Sequence, residues 1–207
     1  MPVPDIIHKD DRQAAINYAA ALSNEGSEPI NLRIARSDGE FTWVETHGHL
    51  VKDDADIQKK AKKIAGFLAE KTPVIYAPDH IESVAVRWRQ QINENAKMLC
   101  WHHVVPEMNH NELVGWRNNR PEIAVVWLRN RDDFQRTSLR MDINKEIVEH
   151  FTATSIEVWS KGKSLVEKAF YLVHLGDWVS YYLAEIRDVD PVEIKVIDYL
   201  KGELAKV

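Results

Sequence analysis

The sequence predicts an α/β protein in which helices flank a mainly parallel sheet of about four to five strands, preceded by a small α+β region. From residue 73 onward, short segments that are apolar at nearly every position alternate with longer segments of helical periodicity, as in parallel sheets covered on both faces. Before residue 53, two runs of alternating polar and apolar residues follow a single helical segment. We therefore expect an accessory region over residues 1–52 and the main domain over residues 53–207.

The accessory region is expected to contain a helix and a hairpin. Asp10 or Asp11 can cap a helix that ends near Leu22, because the next residues are rich in Ser, Gly and Pro. The runs INLRIA (residues 30–35) and FTWVET (residues 41–46) alternate in polarity and flank an Asp-Gly pair. This combination favours a β-hairpin.

The main domain is expected to open with a helix that starts at Asp53 and Asp54 and whose four lysines, Lys59, Lys60, Lys62 and Lys63, face water. Four strands follow, PVIYA (73–77), MLCWHHVV (98–105), EIAVVWLRN (122–130) and TSIEVWS (154–160). Further helices are expected at about 81–97, 132–150 and 164–187, and from Pro191 to about 206, because proline is tolerated in a first helical turn. In such sheets, sites usually form at the carboxyl ends of the strands.

Composition limits the possible partners. The 207 residues carry a net charge of -5, so no strongly basic surface is available for nucleic acid. The single cysteine, Cys100, excludes an intramolecular disulfide. No secretory signal and no run of about 20 apolar residues is present. We expect a soluble cytoplasmic protein that binds neither nucleic acid nor a membrane.

Neither a cofactor nor a metal is expected. The chain contains no dinucleotide fingerprint and no phosphate-binding P-loop motif. The pairs His47/His49 and His102/His103 have no Cys or carboxylate at a recognised ligand spacing, and neighbouring strand residues point to opposite faces. A metal hydrolase built on these histidines is a remaining alternative, and it predicts a stoichiometric metal ion.

The candidate site residues are concentrated between residues 90 and 116. Glu94 falls in the last turn of its helix, where the negative end of the helix dipole is expected to raise its pKa towards that of a general base. The alternative is a solvated pair with Lys97. His110 begins a short turn that favours a neutral imidazole, and its alternative is a loop histidine bonded to the backbone.

Two further features have structural interpretations. Most of the tryptophans fall on strands or apolar helix faces and are expected to pack in the core, although Trp116 is close enough to the candidate site to line it. Asp177 lies within an apolar helix and needs a cationic partner if buried. Arg87 and Lys168 are the candidates.

Several motifs together indicate a family. NENAK (93–97) and PEMNHNELVGW (106–116) are joined by PVIYA and AVRWRQQ (85–91) upstream and by HLGDWVSYYLAE (174–185) and DYLK (198–201) downstream. In this order, the motifs closely resemble the C-terminal half of the bifunctional phosphoglucose/phosphomannose isomerases, members of the sugar isomerase (SIS) superfamily. The resemblance extends from about residue 56 to the end.

The resemblance implies a three-layer, Rossmann-like SIS domain and a cofactor-free aldose-ketose isomerase of hexose 6-phosphates. It assigns the base to Glu94 and the ring-opening group to His110, which in the family frequently reaches the site of a neighbouring subunit. Lys201 is the best match to a site lysine, and Lys195 is the alternative. Asn95, Asn109 and Arg87 are implied as substrate-binding residues.

The family carries two SIS halves, and its first half grips the sugar phosphate with a Ser/Thr/Gly-rich loop. No segment of this chain matches that loop. The chain is therefore interpreted as a second half, either a piece of a longer protein, the product of a split gene, or an independent protein. Its expected partners are a second copy, as a homodimer, or an N-terminal SIS half. The alternative function is a non-catalytic SIS module that binds a sugar phosphate or serves assembly.

Overall fold

The computed structural model describes residues 9–11, 13–15, 17, 30–35, 41–46 and 55–206. The chain divides into two compact units, residues 1–54 and 55–207. In the first unit, strands β1 (Ile30–Ala35) and β2 (Phe41–Thr46) pair antiparallel, as their alternation predicts. Residues 13–15 and 17 are helical. Most of the predicted first helix, the Asp-Gly turn, Asp53, Asp54 and the His47/His49 pair lie outside the described residues.

The second unit is built on a four-stranded sheet. Its strands are β3 (Thr72–Pro78), β4 (Trp101–Val105), β5 (Ile123–Arg129) and β6 (Thr154–Trp159). All four run parallel in the order β4-β3-β5-β6, so the predicted α/β class is confirmed. The helices are α1 (Ala55–Leu68), α2 (Glu82–Ala96), α3 (Gln135–Glu149), α4 (Leu165–Ile186) and α5 (Lys195–Leu204).

Alternate residues of the central strands form two separate cores. Ile75 and Ala77 of β3 pack with the buried faces of α1, α2 and α4. Val74 and Tyr76 point the other way and pack with α3 and with residues from the loop that follows β4. This period of two places a helical layer on each face of the sheet. In α1, every predicted core position is buried, namely Ile57, Ala61, Ile64, Ala65 and Leu68.

Helices α2 and α4 approach each other closely at a glycine. A Cβ atom on Gly176 would lie 2.6 Å from two carbons of the Trp88 indole and nearer still to its nitrogen. Trp88 is fully buried and donates its Nε1 proton to the carbonyl of Leu172, one turn before Gly176. The glycine therefore makes room for the indole to reach the backbone of α4.

Three predicted boundaries are wrong. Helix α5 begins at Lys195 instead of Pro191, because Asp190 accepts a hydrogen bond from the amide of Val192 and closes a turn there. Helix α3 begins at Gln135, since Asp133 accepts from the amide of Asn130 and holds the preceding turn. Strand β4 pairs only from Trp101, although Met98 and Cys100 are buried.

Lys60 also departs from the expectation that it faces water. It is half-buried, and its ammonium lies 3.5 Å from the Tyr171 hydroxyl and 5.5 Å from the centre of that ring. Burial, reinforced by the nearby positive charge of Lys161, lowers the pKa of Lys60. The other three lysines of this helix are exposed, as predicted.

Candidate active site

Glu94 occupies the last turn of α2 and is exposed. It lines two adjoining clefts of about 340 and 710 Å³. The first cleft is completed by residues 97–99 and by the start of α5, and the second by the solvent-facing side of α2 and by Trp101. Among the residues that the structure describes, the Glu94 carboxylate has no hydrogen-bond or ion-pair partner. This carboxylate is therefore available to a ligand in either cleft.

Lys97 organises the end of α2. Its backbone adopts the left-handed conformation (φ 53°) that terminates the helix. Its ammonium donates to the backbone carbonyl of Glu94 at 2.6 Å and lies 3.5 Å from the carbonyl of Pro191. The side-chain pair with Glu94 that the sequence left open is thus replaced by a bond to the Glu94 backbone. The same lysine ties the segment before α5 to the end of α2 that carries Glu94.

The two candidate lysines take different places on α5. Lys195 is the first residue of the helix and lines the smaller cleft together with Glu94. Lys201 is exposed six residues later and lines neither of the two clefts. Within one chain, the structure therefore brings Lys195, and not Lys201, to the cleft of Glu94.

Two of the proposed substrate-binding residues on α2 are bonded to α4. The Asn95 amide donates to the hydroxyl of buried Ser180 at 2.9 Å. Arg87 pairs with Asp177 at 3.1 Å, so the ion pair proposed for Asp177 is confirmed with Arg87 as its partner. Lys168, the other candidate, bonds Asp132 instead. Arg87 still lines the larger cleft of Glu94.

His110 lies in the loop that follows β4, between two short 3-10 helices, Glu107–His110 and Glu112–Gly115. It ends the first of these helices, whereas the sequence suggested that it begins a turn. Its side chain is exposed and has no hydrogen-bond or ion-pair partner within the described part of the chain. The alternative of a histidine bonded to the local backbone is therefore not what the structure shows there.

Residues on both sides of His110 are hydrogen-bonded to side chains of the sheet and of α3. Asn109 donates its side-chain amide to Asn144 of α3 at 2.5 Å. Glu112 accepts a hydrogen bond of 2.5 Å from the hydroxyl of Tyr76 on β3, and that hydroxyl accepts another from the Trp116 indole at 3.1 Å. The Trp116 side chain is thus part of the core below the loop. Sequence reasoning missed Tyr76 and Asn144, since a tyrosine in an apolar strand and an asparagine in a polar helix are common everywhere.

Glu94 and His110 lie at opposite ends of strand β4. Helix α2 returns the chain to the amino edge of the sheet, so Glu94 lies just before β4, while the loop of His110 follows its carboxyl end. A five-residue strand spans about 16 Å. His110 therefore lies at the carboxyl end of β4, where sites are expected in such sheets, whereas Glu94 lies at the amino end. One chain alone does not bring the two side chains together.

The described residues contain neither a clustered metal-binding group nor a membrane-spanning helix. The described ranges contain no group of three or more His, Cys, Asp or Glu residues arranged to hold a metal ion. His102 faces Glu82 at 3.5 Å, while the His103 ring accepts from the amide of Val104, so the two rings have separate partners. No helix in the same ranges combines the length and the apolar character needed to cross a membrane.

Comparison with known proteins identifies the family. Residues 57–204 match the model of the bacterial phospho-glucose isomerase C-terminal SIS domain. The chain belongs to this family. The resemblance carried by the NENAK and NHNE motifs is thereby confirmed, and both Glu94 and His110 lie inside the matched range.

Individual relatives of this SIS domain carry two different names. A bifunctional phosphoglucose/phosphomannose isomerase from Aquifex aeolicus is 41% identical over 152 residues, 72% of this chain and 48% of that protein. A D-glucosamine-6-phosphate 4-epimerase from Sulfolobus acidocaldarius is 37% identical over 147 residues, 70% of this chain and 44% of that protein. The chain spans about half the length of the curated relatives it matches.

A solved structure supports the fold assignment of this SIS domain. A glucose-6-phosphate isomerase like protein from Thermus thermophilus superposes with a TM-score of 0.51 at 27% identity. The match covers 63% of this chain and 42% of that one. The predicted three-layer SIS architecture is confirmed.

Proposed function

We propose that this chain supplies the catalytic SIS half of an aldose-ketose isomerase that interconverts glucose 6-phosphate or mannose 6-phosphate with fructose 6-phosphate. The observation that carries the proposal is the position of Glu94. This glutamate of the NENAK motif lines both clefts, and its carboxylate has no partner in the described part of the chain. A free carboxylate is what proton transfer between two adjacent carbons requires.

The proposed chemistry uses one base and one group for ring opening. In the opened aldose, Glu94 takes the proton from C2, the electron pair forms an enediol, and the proton returns at C1 to give the ketose. A proton moves from O2 to O1 in the same interconversion. His110 donates a proton to the ring oxygen O5 and takes one from the O1 hydroxyl as the ring opens. Lys195 or Lys201 supplies positive charge beside the enediolate oxygens.

The geometry supports a site shared between two copies. Glu94 and His110 lie at opposite ends of β4, and both side chains are exposed and have no partner among the described residues. In a symmetric homodimer, each such separated pair can supply half of two identical sites. We infer that His110 acts in the site of a neighbouring copy. The phosphate-binding loop would come from the first SIS half, which in the family accompanies the second.

The proposal is tested by replacing the base with its isosteric amide. We expect Glu94→Gln to lower kcat for fructose 6-phosphate by about 10²- to 10⁴-fold, because general-base catalysis is worth that much. The assay couples glucose 6-phosphate formation to a dehydrogenase, with this chain alone and with the first half of the Aquifex aeolicus relative supplied. Glu146→Gln, at an exposed glutamate of α3, is the matched control and should retain full activity.

Two results would contradict the proposal. Isomerisation that survives Glu94→Gln would remove the base from its assigned role. The absence of isomerisation in the wild-type chain, both alone and with the first half supplied, would reject the isomerase itself. Lys195→Met and Lys201→Met in the same assay assign the lysine, since only the residue beside the enediolate should lower kcat strongly.

A second candidate function is epimerisation of an amino sugar phosphate. It is favoured by the 37% identity to the relative named D-glucosamine-6-phosphate 4-epimerase. Incubation with glucosamine 6-phosphate and analysis of the products by NMR separates the two functions. An epimer with the aldehyde carbon unchanged supports the second candidate, whereas unchanged glucosamine 6-phosphate together with isomerisation of fructose 6-phosphate supports the first.

A further inference from the structure

The loop of residues 106–116 is firmly anchored to the core, although its only regular structure is two short 3-10 helices. Met108 is fully buried and Trp116 nearly so, and both belong to the core formed with Tyr76, Val125 and Trp127. Short turns link the anchors, since the amide of Asn111 bonds the carbonyl of Met108 and the amide of Trp116 bonds that of Leu113. Both ends of the loop are thus fixed to the sheet.

Polar anchors are added on each side of His110. On the preceding side, Asn109 donates to Asn144 at 2.5 Å, and Asn144 directs its own amide at the sulfur of Met108 at 3.2 Å. On the following side, Glu112 accepts from the hydroxyl of Tyr76 at 2.5 Å. The two bonds are one residue before and two residues after the histidine.

The two core residues that anchor the loop, Asn144 and Tyr76, occupy buried positions that apolar side chains could fill equally well. Asn144 is 1% exposed on α3, and Tyr76 is fully buried on β3. Burying an amide or a hydroxyl costs free energy unless it is bonded, and apolar side chains of similar volume would fill both positions without that cost. Burial first, then the charge of Glu112, raises the pKa of Tyr76 well above its ordinary value, so its hydroxyl stays protonated and donates.

The side chain of His110, which lies between the two anchors, has no hydrogen-bond or ion-pair partner among the described residues. The polar side chains around it bond within the loop or to the core, for example Asn111, which accepts from the amide of Glu112 and donates to Glu107. The imidazole of His110 alone is exposed and unpartnered in the described part of this loop. The fold thus fixes the backbone on both sides of one free titratable group.

We propose that Asn144 and the Tyr76–Glu112 pair are positioning residues, which hold the His110 imidazole in the geometry that ring opening requires. This inference rests on the proposed isomerase function. It adds a role for two core residues that touch no substrate and act only through the loop. A displacement of about 1 Å in a reacting group can lower a rate by about 10²-fold, so a loosened loop is expected to affect turnover strongly.

The test compares Glu112→Met with Glu112→Gln. The glutamine keeps an oxygen that accepts the Tyr76 proton, whereas methionine removes it. Glu112 is only half-buried in a loop, so glutamine is accommodated without repacking, whereas methionine leaves the buried Tyr76 hydroxyl with only the Trp116 indole as a partner. Asn144→Leu removes the second anchor, and Tyr181→Phe on the exposed side of α4 is the control. Amide and imidazole relaxation of His110 is measured by NMR on this chain alone, and kcat on the chain supplied with a first half.

The decisive measurement is the kinetic isotope effect on the conversion of C2-deuterated glucose 6-phosphate to fructose 6-phosphate, the direction in which Glu94 takes the proton from C2. We expect Glu112→Met and Asn144→Leu to increase the mobility of the His110 ring, to lower kcat by about 10- to 100-fold, and to reduce the isotope effect towards 1, because ring opening becomes limiting. Glu112→Gln and Tyr181→Phe should resemble the wild type. A purely structural role lowers the amount of active protein and leaves the isotope effect unchanged.

Each failure has its own signature. If the wild type isomerises but Glu112→Met and Asn144→Leu keep its kcat, or lose kcat with an unchanged isotope effect, the positioning role is overturned and the isomerase stands. If the completed wild type does not isomerise hexose 6-phosphates, the proposed function and this inference are both rejected.

Discussion

Replacing Gly176 by alanine tests the close packing of α2 against α4. The added methyl would lie 2.6 Å from two carbons of the Trp88 indole, far inside van der Waals contact. The indole cannot retreat without weakening its 2.7 Å hydrogen bond to the Leu172 carbonyl. Overpacking costs about 1–3 kcal/mol and a lost hydrogen bond about 1 kcal/mol, while alanine gains about 1 kcal/mol of helix propensity over glycine.

We therefore expect Gly176→Ala to lower the free energy of unfolding by about 2 kcal/mol, or to lower the Tm by about 4–8 °C for a domain of this size. Urea denaturation followed by tryptophan fluorescence measures the change. Gly66→Ala is the matched control, because Gly66 lies in α1 with no heavy atom within 4 Å of the position of a Cβ, and it should stabilise by about 0.5–1 kcal/mol. Equal stabilisation by both substitutions would refute the steric argument.

Two further predictions concern the helix ends and the single cysteine. Arg187→Met should lower the free energy of unfolding by about 1 kcal/mol, since Arg187 donates to the carbonyls of Ala69 and Ala96 at the ends of α1 and α2; an unchanged urea midpoint would contradict this. Burial raises the pKa of the Cys100 thiol to about 12, so iodoacetamide should label folded protein slowly even at pH 9 and quickly in urea. Because the unfolded thiol ionises near pH 8.5, burial of the neutral Cys100 thiol contributes fully to the free energy of unfolding below that pH. Its contribution declines as the pH rises further. Fast labelling of the folded chain would show that the thiol is accessible.

The fold was largely predictable because hydrophobic periodicity records burial directly. The spacing from Ile57 to Leu68 specified the buried face of α1, and the continuous apolar runs specified a parallel sheet. The boundary at Pro191 was mispredicted because proline is compatible both with a first helical turn and with the turn that Asp190 closes there. Local chemistry at that point allowed two structures, and only the complete fold selects one.

The candidate site was predictable only in part. The motifs identified Glu94 and His110 as chemically distinctive, but a linear segment gave no sign that β4 separates them. The support of His110 by Tyr76 and Asn144 depends on contacts across 36 and 35 positions of sequence, to Glu112 and Asn109. Such contacts follow from the register of strands and from helix packing, which no local pattern specifies.

The separation of Glu94 and His110 along β4 has a genetic consequence if two copies share their sites as proposed. If one chain lacks both Glu94 and His110 and its partner is intact, each of the two sites lacks one residue and both are inactive. If one chain lacks Glu94 and its partner lacks His110, both substitutions fall in the same site and the other site stays intact. Two defective alleles could therefore complement each other in trans, although neither chain functions with a copy of itself.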